Sequence, residues 1–347
     1  MLMTPGPTAV PPAVREAMGD ELVNPDVDPA FAAQYDAVCA KLAEVQDTDH
    51  DVVVLGGEGI LGLEAAVTSL VAPGDRVCCL ANGLYGAGFA DFVENVGGKP
   101  TLVAAGDRAG LPLDELEATL AGSEFDVATM VHCETPTGTL NDLEPALDLF
   151  ADHGVLTIVD AVSSLGGTPI PDGIDVCLGG SQKCFSAPPG LTTVGVSDAA
   201  WEKAEAVAPD TLYTNLLPWR DTSEGFPYTH LSANVAGLDA ALDLLLEEGL
   251  DSVYARHEEA AAHCRERGAD LGLELYPDAE CASPTVSAFY VPDRAADLQQ
   301  TLHEDHGITL ATGLADHADN ILRVGHMGYN AEVSKVDQVM DALANEV

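Results

Sequence analysis

The chain has 347 residues, with 14 lysines and arginines against 57 aspartates and glutamates, and its formal net charge of −43 excludes an ordinary nucleic-acid binder. A 47% share of hydrophobic residues and only 20% charged residues supply a real core and exclude disorder. Acidity without long acidic blocks, and with only five lysines, predicts a folded halophilic enzyme whose carboxylate-covered surface suits a very salty cytoplasm.

In chain order, the proline-rich start, Thr4-Pro5-Gly6-Pro7-Thr8 through Pro11-Pro12, opens an arm over residues 1–20 that is expected to lie extended, either across the body or as a simple surface arm. It lacks the basic and apolar regions of a signal peptide. From 50 to 200, seven β-rich runs (52–55, 76–80, 101–104, 127–132, 155–159, 176–178 and 192–196) alternate with helical patterns such as 60–70 and 144–153. That rhythm predicts an α/β large domain, residues 21–232, with a mostly parallel sheet whose strand ends carry the chemistry. Two apolar-periodic helices, 233–248 and 252–271, read as a bridge. Strand runs at 285–291 and 321–324 with helices at 295–303 and 335–344 predict a smaller α+β domain, so that 233–347 forms the bridge and the C-terminal part.

No stretch approaches the ~18 uninterrupted apolar residues of a spanning helix, so no membrane partner is expected. The eight cysteines contain no C-x-x-C pair, as expected of a reduced cytosol. The ten histidines show no ligand spacing, and no metal is expected.

Lys183 follows the 176–178 run in Gly179-Gly180-Ser181-Gln182-Lys183-Cys184. A desolvated strand-end lysine has a lowered pKa and a nucleophilic amine, although this segment alone favours an ordinary solvated loop lysine. Asp160 ends an almost wholly apolar run, where it can cap a turn, ligate a cation or hold a pyridinium protonated. With Lys183 it supports a pyridoxal chemistry. Gly56-Gly57-Glu58-Gly59 lies between a strand run and a helix, where free N–H groups cradle phosphates. Tyr85 can cover a flat cofactor or pack under a helix, and Arg323 can grip a carboxylate or serve a structural ion pair.

Taken together, these motifs resemble the class V group of fold-type I pyridoxal-phosphate enzymes, the alanine:glyoxylate and serine:pyruvate aminotransferases. The likeness runs nearly end to end, through Thr4-Pro5-Gly6-Pro7-Thr8, Asn82-Gly83-Leu84-Tyr85-Gly86, Glu134-Thr135-Pro136-Thr137-Gly138, Asp160-Ala161-Val162-Ser163-Ser164, Ser181-Gln182-Lys183, Pro188-Pro189-Gly190 and Arg323-Val324-Gly325-His326-Met327-Gly328. The resemblance implies a fold-type I large domain with a seven-stranded, mostly parallel sheet, pyridoxal 5′-phosphate as cofactor, and transfer of an amino group to a small 2-oxo acid such as pyruvate or glyoxylate. It makes Lys183 the imine-forming lysine, Asp160 the ring-nitrogen partner and Tyr85 the stacking aromatic. Thr135 is then expected at the ring hydroxyl, Gly57, Glu58, Gly59 and Val162 around the cofactor, Ser181 and Gln182 at its phosphate end, and Arg323 on the substrate carboxylate. It also implies a homodimer with shared sites, in which Thr229 reaches the neighbour's phosphate.

Within the family, Glu58 and the surrounding Leu55-Gly56-Gly57 and Leu61-Gly62-Leu63-Glu64 are most similar to the branch that uses unphosphorylated pyridoxamine or pyridoxal as substrate, while Glu58 reads equally as a solvent-facing acid in the first turn of a helix, which the helix dipole favours. Leu314 and Pro25 depart from that branch, which has an arginine and a tyrosine there. A lyase or desulfurase needs an activated cysteine, and nothing marks Cys281 as one. A silent vitamin-binding scaffold is disfavoured by the retained lysine and aspartate.

Overall fold

The computed structural model describes residues 1–20 and 23–347. Helices α1 (Pro12–Gly19) and α2 (Pro29–Gln46) precede strand β1 (Asp51–Gly56), and α3 (Gly59–Leu70), β2 (Arg76–Ala81), α4 (Leu84–Asn95), β3 (Lys99–Ala104), α5 (Leu113–Gly122) and β4 (Val127–Val131) follow in alternation. A short hairpin, β5 (Cys133–Glu134) with β6 (Thr139–Leu140), leads to α6 (Glu144–Asp152), β7 (Leu156–Asp160), β8 (Val176–Gly180), β9 (Leu191–Val196) and α7 (Asp198–Val207). The long helices α8 (Ser232–Glu248) and α9 (Leu250–Asp270) then lead to β10 (Glu274–Leu275), β11 (Ser287–Tyr290), α10 (Ala295–His306), β12 (Ala311–Thr312), β13 (Ile321–Val324) and α11 (Val333–Leu343).

The seven expected runs form one sheet in the order β1-β9-β8-β7-β4-β2-β3. From β8 through β3 the pairs are parallel, whereas β9 runs antiparallel to both β8 and β1. Residues 127–131 and 176–180 are buried throughout, as strands covered by helices on both faces must be. The carboxyl ends of β1, β2, β4, β7 and β8 open on one side, which is where the candidate residues lie. A second, fully antiparallel sheet, β10-β11-β13-β12, forms the small domain.

Two expectations change. The arm is extended only as far as Pro11, because residues 12–19 are the helix α1; a proline in the first helical turn loses no hydrogen bond, and Ala13, Val14, Arg15 and Glu16 carry the turn onward. The arm is also no surface strand: Met3 is fully buried in the small-domain core, and its N–H and C=O bond Thr309 O and Gly325 N at 2.9 and 2.8 Å. The bridge is asymmetric as well. Val235, Leu238, Leu242 and Leu245 of α8 and Val253 of α9 belong to the large core, while Ala260 and Cys264 belong to the small one, so the change of core falls inside α9, within the bridge. Among the described residues no helix is long and apolar enough to cross a membrane.

Candidate active site

A cavity of about 320 Å³ lies over the strand ends, and its walls include Glu58, Gly59, Tyr85, Thr135, Asp160, Val162, Gln182 and Lys183. Eight of the expected site residues are thus brought together. Three residues of the arm region and turn, Gly6, Pro7 and Pro189, close it, with Ile60, Leu63 and Ser163.

Asp160 ends β7 and is 5% exposed; its Oδ1 accepts from the Val162 N–H at 2.9 Å, which leaves Oδ2 without a protein partner among the described residues. Burial raises the carboxyl to about 6, opposed by that N–H and by Lys183 and reinforced by Glu58. Lys183 sits in the turn after β8, where burial, helped by the Arg323 charge, lowers its ammonium to about 8. Its Nζ donates to Pro5 O at 2.7 Å, so the arm holds the amine. Thr135 and Ser163 share a hydroxyl hydrogen bond, and Tyr85 is half-buried, with its phenol raised by burial and by Asp160.

Arg323 lies beside the cavity and is only 6% exposed. Its Nε donates to Thr312 O at 2.7 Å and its Nη1 to Thr135 O at 3.1 Å; no acidic side chain pairs with it among the described residues, and burial lowers it to about 10. A buried guanidinium held only by carbonyls has Nη2 to offer a carboxylate. Among the described residues the structural ion pair left open above is absent.

Glu58 is the N-cap residue of α3, and its side chain does not cap the helix. Instead it is exposed to the cavity, and Oε2 accepts from Gln182 Nε2 at 3.3 Å. The Gln182 Oε1 is buried and has no partner among the described residues. The first N–H groups of α3 supply an anion cradle here, so this end of the cavity combines backbone donors with one carboxylate.

Besides Arg323, three expected residues lie off the wall. Ser181 is fully buried, and its Oγ donates to Pro188 O at 2.6 Å and accepts from Leu191 N at 3.2 Å, so its hydroxyl serves its own turn. Gly57 gives its N–H to Gly190 O at 2.8 Å, and a Cβ there would fall 2.2 Å from Leu61 Cδ2, a packing requirement. Thr229 is exposed and donates to Asp26 Oδ2 at 2.9 Å, away from the cavity of its own chain. Burial and neighbouring acids raise the Cys281 thiol, the reverse of nucleophile activation.

Sequence reasoning missed the arm and Glu134. The arm's motif was visible, but nothing local said that Pro5 would meet Lys183; Glu134 stood inside a quoted motif without a role.

A family model described as aminotransferase class-V matches residues 1–338. The chain is 35% identical over 344 residues to a pyridoxamine–pyruvate transaminase of Mesorhizobium japonicum, covering 95% of this chain and 87% of that relative. It is 32% identical over 357 residues to the alanine–glyoxylate aminotransferase of Oryctolagus cuniculus, covering 99% and 91% respectively. The crystal structure of pyridoxamine-pyruvate aminotransferase from Mesorhizobium loti superposes with a TM-score of 0.95 at 33% identity, covering 99% of this chain and 91% of that one.

Proposed function

Because the chain belongs to the class-V aminotransferase family and has its fold-type I architecture, we propose that this aminotransferase binds a pyridoxal ring on Lys183 and moves an amino group between an amino donor and a small 2-oxo acid, pyruvate or glyoxylate. The carrying observation is the meeting of Lys183, of lowered basicity, with the half-free carboxylate of Asp160 in one cavity beside an unpaired Arg323.

When bound, pyridoxal 5′-phosphate supplies an electron-withdrawing ring next to the reacting carbon. Asp160 Oδ2 holds a proton on the ring nitrogen. Tyr85 covers one face, Val162 lines the pocket next to Asp160, and Thr135 meets the ring hydroxyl. Arg323 grips the substrate carboxylate, orienting the donor so that the freed Lys183 amine takes the proton from its α-carbon; in the second half-reaction, with the 2-oxo acid held by the same Arg323, the amine delivers a proton to the acceptor's α-carbon. Gln182, Gly59 and the α3 N–H groups hold the 5′ end, with Gly57 and Ser181 shaping the turns behind them. In a homodimer, Thr229 of a second copy completes that end. The charge of −43 supports a salt-rich cytoplasm as the working medium.

Glu58 favours a second reading, in which the unphosphorylated vitamin is the substrate. A carboxylate about 5 Å from a phosphate dianion costs roughly 6–7 kcal/mol at an effective dielectric of about 20, and a helix N-terminus returns at most about 2 kcal/mol. A hydroxymethyl group would instead donate to Glu58.

Borohydride reduction of ring-loaded protein, followed by peptide mapping, tests the first reading: label on Lys183 is expected, and label on Lys41, Lys99, Lys203 or Lys335 defeats it. Dissociation constants of pyridoxal and its 5′-phosphate, on wild type and Glu58→Ser, decide the second. A shift towards the phosphate ester in the variant supports it; tight, unchanged phosphate-ester binding leaves the phosphorylated cofactor.

A further inference from the structure

Helix α4 starts at Leu84 after Gly83, an N-cap residue with no side chain to satisfy the first N–H groups. Helices ordinarily meet this need with a Ser, Thr, Asp or Asn at that position. Here the need is met from another strand: Glu134 Oε1 accepts from Gly86 N at 2.7 Å and Oε2 from Tyr85 N at 3.2 Å. The glycines make room for it, since a Cβ on Gly83 would lie 2.5 Å from Glu134 Cδ, and one on Gly86 3.3 Å from Oε1.

The same residue ties down a second part of the cavity wall. Glu134 O accepts from the N–H groups of Thr137 and Gly138, closing the β5–β6 hairpin, and the adjoining Thr135 lines the cavity and gives its carbonyl to Arg323. Tyr85 and the Thr135–Arg323 pair therefore share one anchor, and its side chain is 0% exposed.

We propose that Glu134 is a positioning residue of the ring site, whose carboxylate fixes the first turn of α4 and so holds Tyr85 over the ligand. The inference rests on the reading of Lys183 as the ring-binding residue and adds a group that touches neither ring nor substrate.

A purely stabilising role fits poorly. Burial raises the carboxyl to about 7, with Asp160 and Asp107 adding to the shift and the two N–H bonds opposing it. A carboxyl raised on folding favours the fold in its protonated form, and that benefit fades as pH rises from the ordinary value of 4.5 through about 7. Above that the ionised group supports the fold less than its protonated form does, so stability alone does not select a carboxylate at this place.

Glu134→Gln keeps the shape but turns one acceptor into a donor that faces an N–H. With pyridoxal and its 5′-phosphate titrated separately and followed by imine absorbance, the dissociation constant of the tighter ring should rise about tenfold, the scale of one charge-assisted hydrogen bond. The denaturation midpoint at pH 8 should stay level or rise. In a Tyr85→Ala background the same change should add less than about twofold, because the effect travels through Tyr85. Glu134→Asp, which keeps the charge, should bind better than Glu134→Gln. Wild-type affinity in Glu134→Gln, independent effects in the double variant, or affinity lost only in step with fold stability would overturn the assignment. Wild type that forms no imine on Lys183 would overturn the ring-binding reading and this one with it; wild type that forms it, matched by Glu134→Gln, overturns this inference alone.

Discussion

The Nζ of Lys183 donates to the backbone carbonyl of Pro5 at 2.7 Å, so the amine to which we assign the ring is held by a segment 178 residues away in sequence. The next residue, Gly6, has φ +101°, and a Cβ on it would lie 2.4 Å from Lys183 Cδ and 2.6 Å from Cε. The lysine stem thus runs across the bare face of a glycine.

Gly6→Ala should therefore displace the amine. The backbone strain costs about 1–2 kcal/mol, which a protein of this size survives, while imine formation with pyridoxal should slow by at least about tenfold, equivalent to 1.4 kcal/mol. Stopped-flow absorbance beside a denaturant titration checks both, and an imine forming at the wild-type rate would show that the lysine does not need the arm.

Lys183→Met should stabilise the unliganded protein. Burial lowers the ammonium from 10.5 to about 8, so the folded state holds its proton less tightly than the unfolded chain. The penalty is full below pH 8 and disappears as pH rises towards 10.5. Linkage gives about 3 kcal/mol at pH 7, less about 1 for the lost bond to Pro5. Urea titrations at pH 7 and pH 10 should show a gain of about 2 kcal/mol that shrinks at the higher pH; a constant difference would contradict it.

Asp160→Asn should bind the ring almost normally and turn over at least about a hundredfold more slowly, since an amide cannot keep the ring nitrogen protonated. The comparison is made at saturating ring and 2-oxo acid. Near-normal turnover would reduce Asp160 to a cap on the Val162 N–H.

Arg323→Lys removes the planar fork while keeping a positive charge. KM for pyruvate or glyoxylate should rise about ten- to a hundredfold, the loss of a bidentate pair, with imine formation on Lys183 unchanged. An unaltered KM would place the substrate carboxylate elsewhere.

Salt should matter to the whole molecule. The −43 charge is only sparsely paired, and its self-repulsion is screened at short range by molar salt, where the Debye length is about 3 Å. Calorimetry in molar and in about 0.1 M salt, where that length is about 10 Å, should show a large fall in the unfolding temperature or loss of assembly at the lower concentration. Equal stability in both would refute a halophilic design.

By itself the sequence determined the alternation of strands and helices, the mostly parallel sheet, and the strand-end places of Asp160 and Lys183, because apolar period and turn residues are local signals read along a single segment. It also marked Glu58, Tyr85 and Thr135, which the fold brings to the same wall. Tertiary structure decided the rest. Only packing turned β9 antiparallel between β8 and β1, used up the Ser181 hydroxyl inside its own turn, and carried Pro5 to Lys183. Helix α4 makes the same point: Gly86 and Gly88 weaken it on propensity, and its first turn is secured by a carboxylate 48 residues onward. Composition and period report which face of an element avoids water, whereas desolvation, and with it the lowered basicity of Lys183 and the raised carboxyls of Asp160 and Glu134, comes from chain segments that no local pattern places side by side.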